Sequence, residues 1–178
     1  MITLIIGPMF SCKTTTLLGW ERKAIIAKKK VCIIKHSWDT RYSNDNVISH
    51  DGMISNSKYI YNVDKLSKID NDILVNKFDV VLIDEGQFFV DLIEYCDKWT
   101  SMNISIVISA LSGDYKKEPF EVISRMISKV DTIIPLKSIC TICGDDASFT
   151  KRLVYSSEQT LVGGNKEYEP RCNNCFNK

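Results

Sequence analysis

The sequence lacks any long hydrophobic run and carries almost no net charge. No stretch of apolar residues approaches the length of about 18 that a membrane-spanning helix needs. Lysine and arginine total 23 and aspartate and glutamate total 22, which leaves a formal net charge of +1. A protein whose main task is to coat nucleic acid or an acidic membrane surface needs a strong basic excess. The composition therefore predicts that neither a nucleic acid nor a membrane is a partner.

A secretory signal is also lacking. The apolar start, residues 1–6, has no basic segment before it and is too short for a signal peptide. We therefore expect a cytoplasmic protein. In that reducing compartment the seven cysteines are expected to be metal ligands or free thiols rather than disulfides.

Four apolar, β-branched runs predict buried strands, and three mixed segments predict helices. The predicted strands are residues 2–6, 31–34, 80–83 and 104–111, and the predicted helices are residues 13–29, 92–102 and 120–128. Residues 36–77 are polar and weakly periodic, and we assign no element there. A strand, a helix and a strand in succession predict an α/β fold whose parallel sheet is covered by helices on both faces.

A candidate phosphate loop directly follows the first predicted strand and precedes the first predicted helix. It consists of Gly7, Pro8, Met9, Phe10, Ser11, Cys12, Lys13 and Thr14. The loop matches the pattern G-x-x-x-x-G-K-[ST] except at the second glycine, where Cys12 stands. In such loops backbone N–H groups cradle phosphate oxygens, the lysine contacts the β- and γ-phosphates, and the hydroxyl binds Mg²⁺. An ordinary strand-to-helix turn is the alternative, and the strand and helix on either side favour the nucleotide site.

A carboxylate pair follows another apolar strand. Residues 80–83 end at Asp84, and Glu85 comes next. A strand that ends in aspartate is the arrangement in which a carboxylate holds Mg²⁺ beside a phosphate loop. The neighbouring Glu85 can act as a base towards an attacking oxygen. A surface acidic pair is the alternative, and the phosphate loop favours the magnesium and nucleotide interpretation.

Two cysteine pairs lie near the end of the chain. They are Cys140 with Cys143, and Cys172 with Cys175. Four thiolates in two C-x-x-C pairs indicate a closed, tetrahedral structural Zn²⁺ site. Redox-active pairs and chance spacing are the alternatives. We divide the chain into a nucleotide-binding domain, residues 1–138, and a smaller zinc-binding domain, residues 139–178.

Taken together, the phosphate loop, the Asp-Glu strand end and the late cysteine pairs resemble the type II thymidine kinase family. The resemblance covers nearly the whole chain. The matching stretches read GPMFSCKTT, IIKHSWDTRYS, SHDG, LIDEGQFF, ISALSGDYKKEPF, CTIC, ASFTKRL, LVGGNKEY and RCNNC. In this family the phosphate-loop domain has a RecA-like core. A zinc-anchored loop, called the lasso and here residues 144–171, closes over thymidine.

The resemblance implies roles for individual residues. Glu85 falls at the general base, and Asp84, Gly86 and Gln87 belong to the nucleotide-site motif. Asp39, Thr40 and Arg41 match an element beside the ATP phosphates. The positions that match the thymidine site are Met9, Phe88, Leu111, Tyr115, Thr150, Gln159, Thr160, Leu161, Val162, Gly163 and Tyr168.

The implied activity is transfer of the γ-phosphoryl group of MgATP to the 5′-hydroxyl of thymidine, with Zn²⁺ as a structural ion. The resemblance also implies a homotetramer and feedback inhibition by dTTP. Two other functions stay open from the residues alone. A phosphate-loop ATPase or a fragment of a nucleic-acid translocase would use the Asp-Glu pair to activate water, and a zinc-ribbon binding module would carry a decayed nucleotide loop.

Overall fold

A computed structural model describes residues 1–38, 47 and 52–177, which fold around one six-stranded sheet. Its strands are Ile2–Gly7 (β1), Val31–His36 (β2), Ile60–Val63 (β3), Val80–Ile83 (β4), Ser105–Leu111 (β5) and Thr132–Pro135 (β6). The strand order is β3-β2-β4-β5-β1-β6, and every neighbouring pair is parallel. The predicted α/β fold with a parallel sheet is confirmed.

Helices cover both faces of this sheet. They are Lys13–Ile26 (α1), Asp70–Asn76 (α2), Leu92–Ser101 (α3) and Glu121–Met126 (α4). Successive strand residues point to opposite faces, so Ile33 joins Leu17 of α1 in one buried cluster. Its neighbour Ile34 joins Trp99 of α3 and Ile123 of α4 in the other. Burying one such side chain contributes about 1.5–3 kcal/mol, which explains why these strands are apolar at nearly every position.

The structure corrects the sequence prediction in the polar stretch and at one sheet edge. Residues 36–77, to which no element was assigned, contain β3 and α2, and β6 was also missed. Both missed strands lie at the edges of the sheet, and none of their residues is buried. Strands with little buried surface need few apolar residues, so their sequences carry a weak signal.

Two helix ends also differ from the prediction. Helix α1 ends at Ile26 rather than at residue 29, because Lys28 adopts a left-handed conformation with φ of 57°. Helix α4 begins at Glu121, and Phe120 precedes it in an extended conformation. A left-handed or extended residue cannot continue a right-handed helix.

Short antiparallel pairs follow the main sheet. They are formed by Ser138–Ile139 (β7) with Asp146–Ala147 (β8), and by Phe149–Arg152 (β9) with Tyr168–Arg171 (β10). Ser138 donates a 3.0 Å hydrogen bond from Oγ to the carbonyl of Phe10 in the phosphate loop. The division of the chain at residues 138 and 139 stays a prediction. Within the described residues, no helix has both the length and the apolar character to cross a membrane.

Candidate active site

The phosphate loop connects β1 to α1 in a compact turn. Gly7 has no room for a side chain, because a Cβ there would lie 2.6 Å from Ser11 Oγ and 2.7 Å from the carbonyl of Leu136. Ser11 donates from Oγ to the carbonyl of Pro8 at 2.8 Å. These contacts hold the loop closed on itself at the N-terminus of α1. Helix N-termini carry unpaired N–H groups and partial positive charge, which suits a bound phosphate.

Cys12 is strained in this loop. Its φ of 59° and ψ of 30° are left-handed, and the residue is exposed. Glycine adopts this conformation without strain, whereas a residue with a Cβ does so at a cost of roughly 1–2 kcal/mol. The next residue, Lys13, is buried and donates from Nζ to the carbonyl of Pro8 at 2.6 Å. Cys12 therefore adopts the left-handed conformation that a glycine at this position would adopt without strain.

The hydroxyl and carboxylate predicted to bind Mg²⁺ lie side by side. Thr14 at the start of α1 donates from Oγ1 to the Asp84 carboxylate, at 3.1 Å and 3.3 Å to its two oxygens. Asp84 follows β4 and also accepts from Oγ of Ser109 on β5 and from the backbone N–H of Glu85. Strands β1 and β4 both flank β5 and run parallel to it, so the loops that follow them lie together at the carboxyl end of the sheet. Hydroxyl and carboxylate oxygens are the donor type that Mg²⁺ prefers.

The backbone of Glu85 lies in a turn, and its carboxylate is held by the side-chain amide of Gln87. Its φ is 53°, and its Oε2 accepts a 2.6 Å hydrogen bond from Nε2 of Gln87. The Gln87 Oε1 accepts in turn from the backbone N–H of Leu111 at 3.0 Å. Gly86 packs so closely that a Cβ there would lie 2.5 Å from Cγ2 of Ile108. Glu85 is thus oriented by the adjoining strand β5 as well as by its own loop.

A half-open cavity lies beside Glu85. All the residues predicted to contact thymidine lie on its wall, together with Glu85. They are Met9, Phe88, Leu111, Tyr115, Thr150, Gln159, Thr160, Leu161, Val162, Gly163 and Tyr168. The backbone N–H of Met9 donates to Oγ1 of Thr150 at 2.9 Å, which joins the phosphate loop to the lasso. Their roles towards a substrate stay predictions.

Several residues at this cavity were not predicted from the sequence. Trp38, Gly113, Asp114 and Phe120 also line it. Arg152 lies behind the wall and donates hydrogen bonds to lasso carbonyls. Arg152 belongs to the quoted stretch ASFTKRL, which was its only signal. Asp39, Thr40 and Arg41, predicted to lie beside the ATP phosphates, fall outside the described residues.

The four paired cysteines come together in the small antiparallel region. The Sγ atoms of Cys140, Cys143, Cys172 and Cys175 all lie within 4.8 Å of one another. Zn–S bonds of about 2.3 Å in a tetrahedral site place sulfurs roughly 3.8 Å apart. The 3.6 Å separation of the Cys143 and Cys172 sulfurs agrees with that geometry. The cluster can therefore hold a zinc ion.

The ionisation of these thiols also fits a cation site. Burial opposes ionisation of the Cys140 thiol, but the backbone N–H groups of Cys172, Cys143 and Ile142 outweigh it and lower the pKa of Cys140 to about 6. The backbone N–H of Asp145 stabilises the Cys143 thiolate, yet burial and the neighbouring sulfurs raise the pKa of Cys143 to about 12. Thiolates at this spacing repel one another, so a cation is needed to keep all four ionised.

Comparison with known proteins places these features in one family. The family model described as "Thymidine kinase" matches residues 1–176. A thymidine kinase of Amsacta moorei entomopoxvirus is 40% identical, over 99% of this chain and 97% of the relative. Thymidine kinase 1 of Dictyostelium discoideum is 36% identical, over 99% of this chain and 77% of the relative. The thymidine kinase of Vaccinia virus (strain Western Reserve) is 35% identical, over 98% of this chain and 96% of the relative.

Proposed function

The chain belongs to the thymidine kinase family, and from this premise we propose that it transfers the γ-phosphoryl group of MgATP to the 5′-hydroxyl of thymidine. The products are ADP and thymidine monophosphate. One observation carries the proposal. Glu85 lines the cavity, and its neighbour Asp84 is hydrogen-bonded to Thr14 of the phosphate loop. A phosphate donor and a nucleoside acceptor can therefore meet at one pair of adjacent carboxylates.

The phosphate side of the site neutralises and aligns charge. When a nucleotide binds, the Lys13 amine would leave the carbonyl of Pro8 and contact phosphate oxygens instead. The N–H groups at the start of α1 would bind the same phosphates. Thr14 and Asp84 are the residues that would hold Mg²⁺, which supplies charge neutralisation on the transferred phosphoryl group when bound. We assign Asp39, Thr40 and Arg41 to the same phosphates on the family resemblance alone.

The acceptor side of the site positions a hydroxyl. Glu85 accepts the 5′-hydroxyl proton, and Gln87 keeps the carboxylate in place through its 2.6 Å hydrogen bond. The transition state of phosphoryl transfer is loose, so positioning and electrostatics contribute more than the base itself. Met9, Phe88 and Leu111 give the cavity an apolar wall, which suits a pyrimidine ring with a methyl group.

The remaining features fit the same function. We propose that the cysteine cluster binds one structural Zn²⁺ that anchors the lasso and takes no part in the chemistry. We also propose that dTTP inhibits by placing its base in the cavity and its phosphates on the adjacent loop. The homotetramer stays a proposal that rests on the resemblance.

A single set of assays tests the reaction. ADP formation from MgATP is measured with no acceptor, with thymidine, with deoxyuridine, with deoxyadenosine and with single-stranded DNA. We expect strong turnover with thymidine, weaker turnover with deoxyuridine and none with deoxyadenosine. Turnover with no acceptor would instead indicate an ATPase, and stimulation by single-stranded DNA alone would indicate a nucleic-acid-dependent motor.

A further inference from the structure

We propose that Arg152 is a positioning residue that shapes the nucleoside-facing part of the lasso and so sets the affinity for thymidine. This inference rests on the proposed function of the cavity. Arg152 is the last residue of β9 and is only 9% exposed. A buried guanidinium needs several acceptors to compensate for lost hydration. Where those acceptors lie shows what the residue organises.

Three of the acceptors are carbonyls of the lasso. Nη1 of Arg152 donates to the carbonyls of Ser156 at 3.2 Å and Glu158 at 2.6 Å, and Nη2 donates to that of Gln159 at 2.9 Å. Residues 153–164 contain no helix or strand, so no regular backbone ladder holds them. The Arg152 guanidinium therefore fixes the path of these residues into the cavity wall, as backbone hydrogen bonds do within a helix or strand.

A second link runs through Tyr168. Its hydroxyl accepts from Nε of Arg152 at 3.2 Å and from Nη2 at 3.0 Å, and it donates to the carbonyl of Leu161 at 2.7 Å. Leu161 and Tyr168 both line the cavity. Arg152 consequently controls the lasso on both sides of Thr160, although it does not line the cavity itself.

A third link joins the lasso to Tyr115, which lies on a part of the cavity wall outside the lasso. The guanidinium carbon of Arg152 lies 3.7 Å from the centre of the Tyr115 ring. Tyr115 follows β5, lines the cavity, and donates from its hydroxyl to the carbonyl of Ser156 at 3.2 Å. A planar guanidinium can stack on a ring and donate through its fork at the same time, and lysine cannot do both.

The test compares Arg152→Met and Arg152→Lys with the wild type. Arg125→Met is the matched control, because it removes an exposed arginine on α4 that does not line the cavity. KM for thymidine, KM for ATP, kcat and zinc content are measured for each variant. We expect Arg152→Met to raise KM for thymidine roughly 10- to 100-fold while KM for ATP changes less than about twofold.

Arg152→Lys should fall between Arg152→Met and the wild type, and Arg125→Met should match the wild type. The inference is overturned if Arg152→Met keeps the wild-type KM for thymidine, or if KM for both substrates rises equally in a variant that retains zinc. If Arg152→Met does not fold, Arg152→Lys decides, and an unchanged KM for thymidine in that variant overturns the inference. A wild-type protein without thymidine-dependent turnover would instead contradict the proposed function.

Discussion

Cys12 and Glu85 are the two residues whose backbone conformation matters most to the proposed chemistry. Both have a positive φ, at 59° and 53°. Glu85 lies in the turn after β4, and Cys12 directly precedes α1 in the loop that follows β1. Non-glycine residues in this conformation store strain, which surrounding contacts must offset. For Glu85 the contact with Gln87 is visible, whereas Cys12 makes no side-chain cap to α1.

We expect Cys12→Gly to relieve strain without harming catalysis. The variant should be about 1 kcal/mol more stable than Cys12→Ala, because alanine keeps the strained Cβ and both lack the sulfur. Its kcat/KM for ATP should equal or exceed that of the wild type, by up to about tenfold. Urea unfolding and steady-state kinetics measure the two effects. Loss of activity in Cys12→Gly but not in Cys12→Ala would show that the side chain is required to order the loop.

Alkylation tests whether Cys12 lies at the phosphates. Cys12 is exposed, and bound phosphate should cover it, so MgATP should slow its labelling by iodoacetamide. Labelling at an equal rate with and without MgATP would contradict the assignment of residues 7–14 as the phosphate loop.

Glu85→Gln should reduce kcat by roughly 10²–10⁴ and leave ATP affinity nearly unchanged. The amide keeps the size of the side chain but cannot accept the 5′-hydroxyl proton. Glu94→Gln is the control, because Glu94 is an exposed carboxylate on α3 that does not line the cavity. Turnover near the wild-type value in Glu85→Gln would mean that another group accepts the proton.

At the scale of elements, part of the cavity wall is a segment that has no regular structure of its own. Residues 153–164 depend on the β9–β10 pair, on Arg152 and on the cysteine cluster for their position. The cluster joins residues near β7 and β8 to those that follow β10. A metal that fixes both ends of such a segment limits its conformational freedom.

Removal of one zinc ligand should therefore weaken the binding of thymidine more than the binding of ATP. We expect one Zn²⁺ per chain in the wild type and less in Cys175→Ser, which removes a buried member of the cluster. KM for thymidine should rise more than KM for ATP in Cys175→Ser, since the lasso lines the nucleoside cavity. Elemental analysis and kinetics measure both, and Cys12→Ala is the control for zinc content after loss of a thiol elsewhere. Absence of stoichiometric metal from the wild type would contradict the zinc proposal.

At the scale of the whole molecule, one parallel sheet brings distant segments together at the carboxyl ends of its strands. The phosphate loop follows β1, Asp84 follows β4 and Leu111 ends β5. These three strands are neighbours in the order β4-β5-β1. Ligands of open parallel sheets bind beyond the carboxyl ends of the strands, and the cavity follows that rule.

The proposed homotetramer predicts a particle of four times the 20.3 kDa chain mass. Light scattering coupled to size-exclusion chromatography measures this directly. We expect the mass to stay constant across a tenfold dilution. A mass equal to that of one chain would show that the tetramer implied by the family resemblance does not form.

Local patterns in the sequence were enough to predict the phosphate loop, the Asp-Glu strand end and the paired cysteines. Each is recognised from short motifs, in which the residue types and their spacing indicate the chemistry. The buried strands β1, β2, β4 and β5 were also predictable, because burial on two faces requires apolar residues at nearly every position. The edge strands β3 and β6 need few such residues and were missed.

Only the tertiary structure determined which distant residues meet. It placed Thr14 against Asp84, Met9 against Thr150, and Arg152 between Tyr115 and the lasso. It also gave Cys12 a left-handed conformation that its sequence neighbours left open. A sequence pattern reports preferences over a few residues, whereas these contacts join segments far apart in the chain. They depend on the strand order and on burial, which emerge only when the whole chain packs.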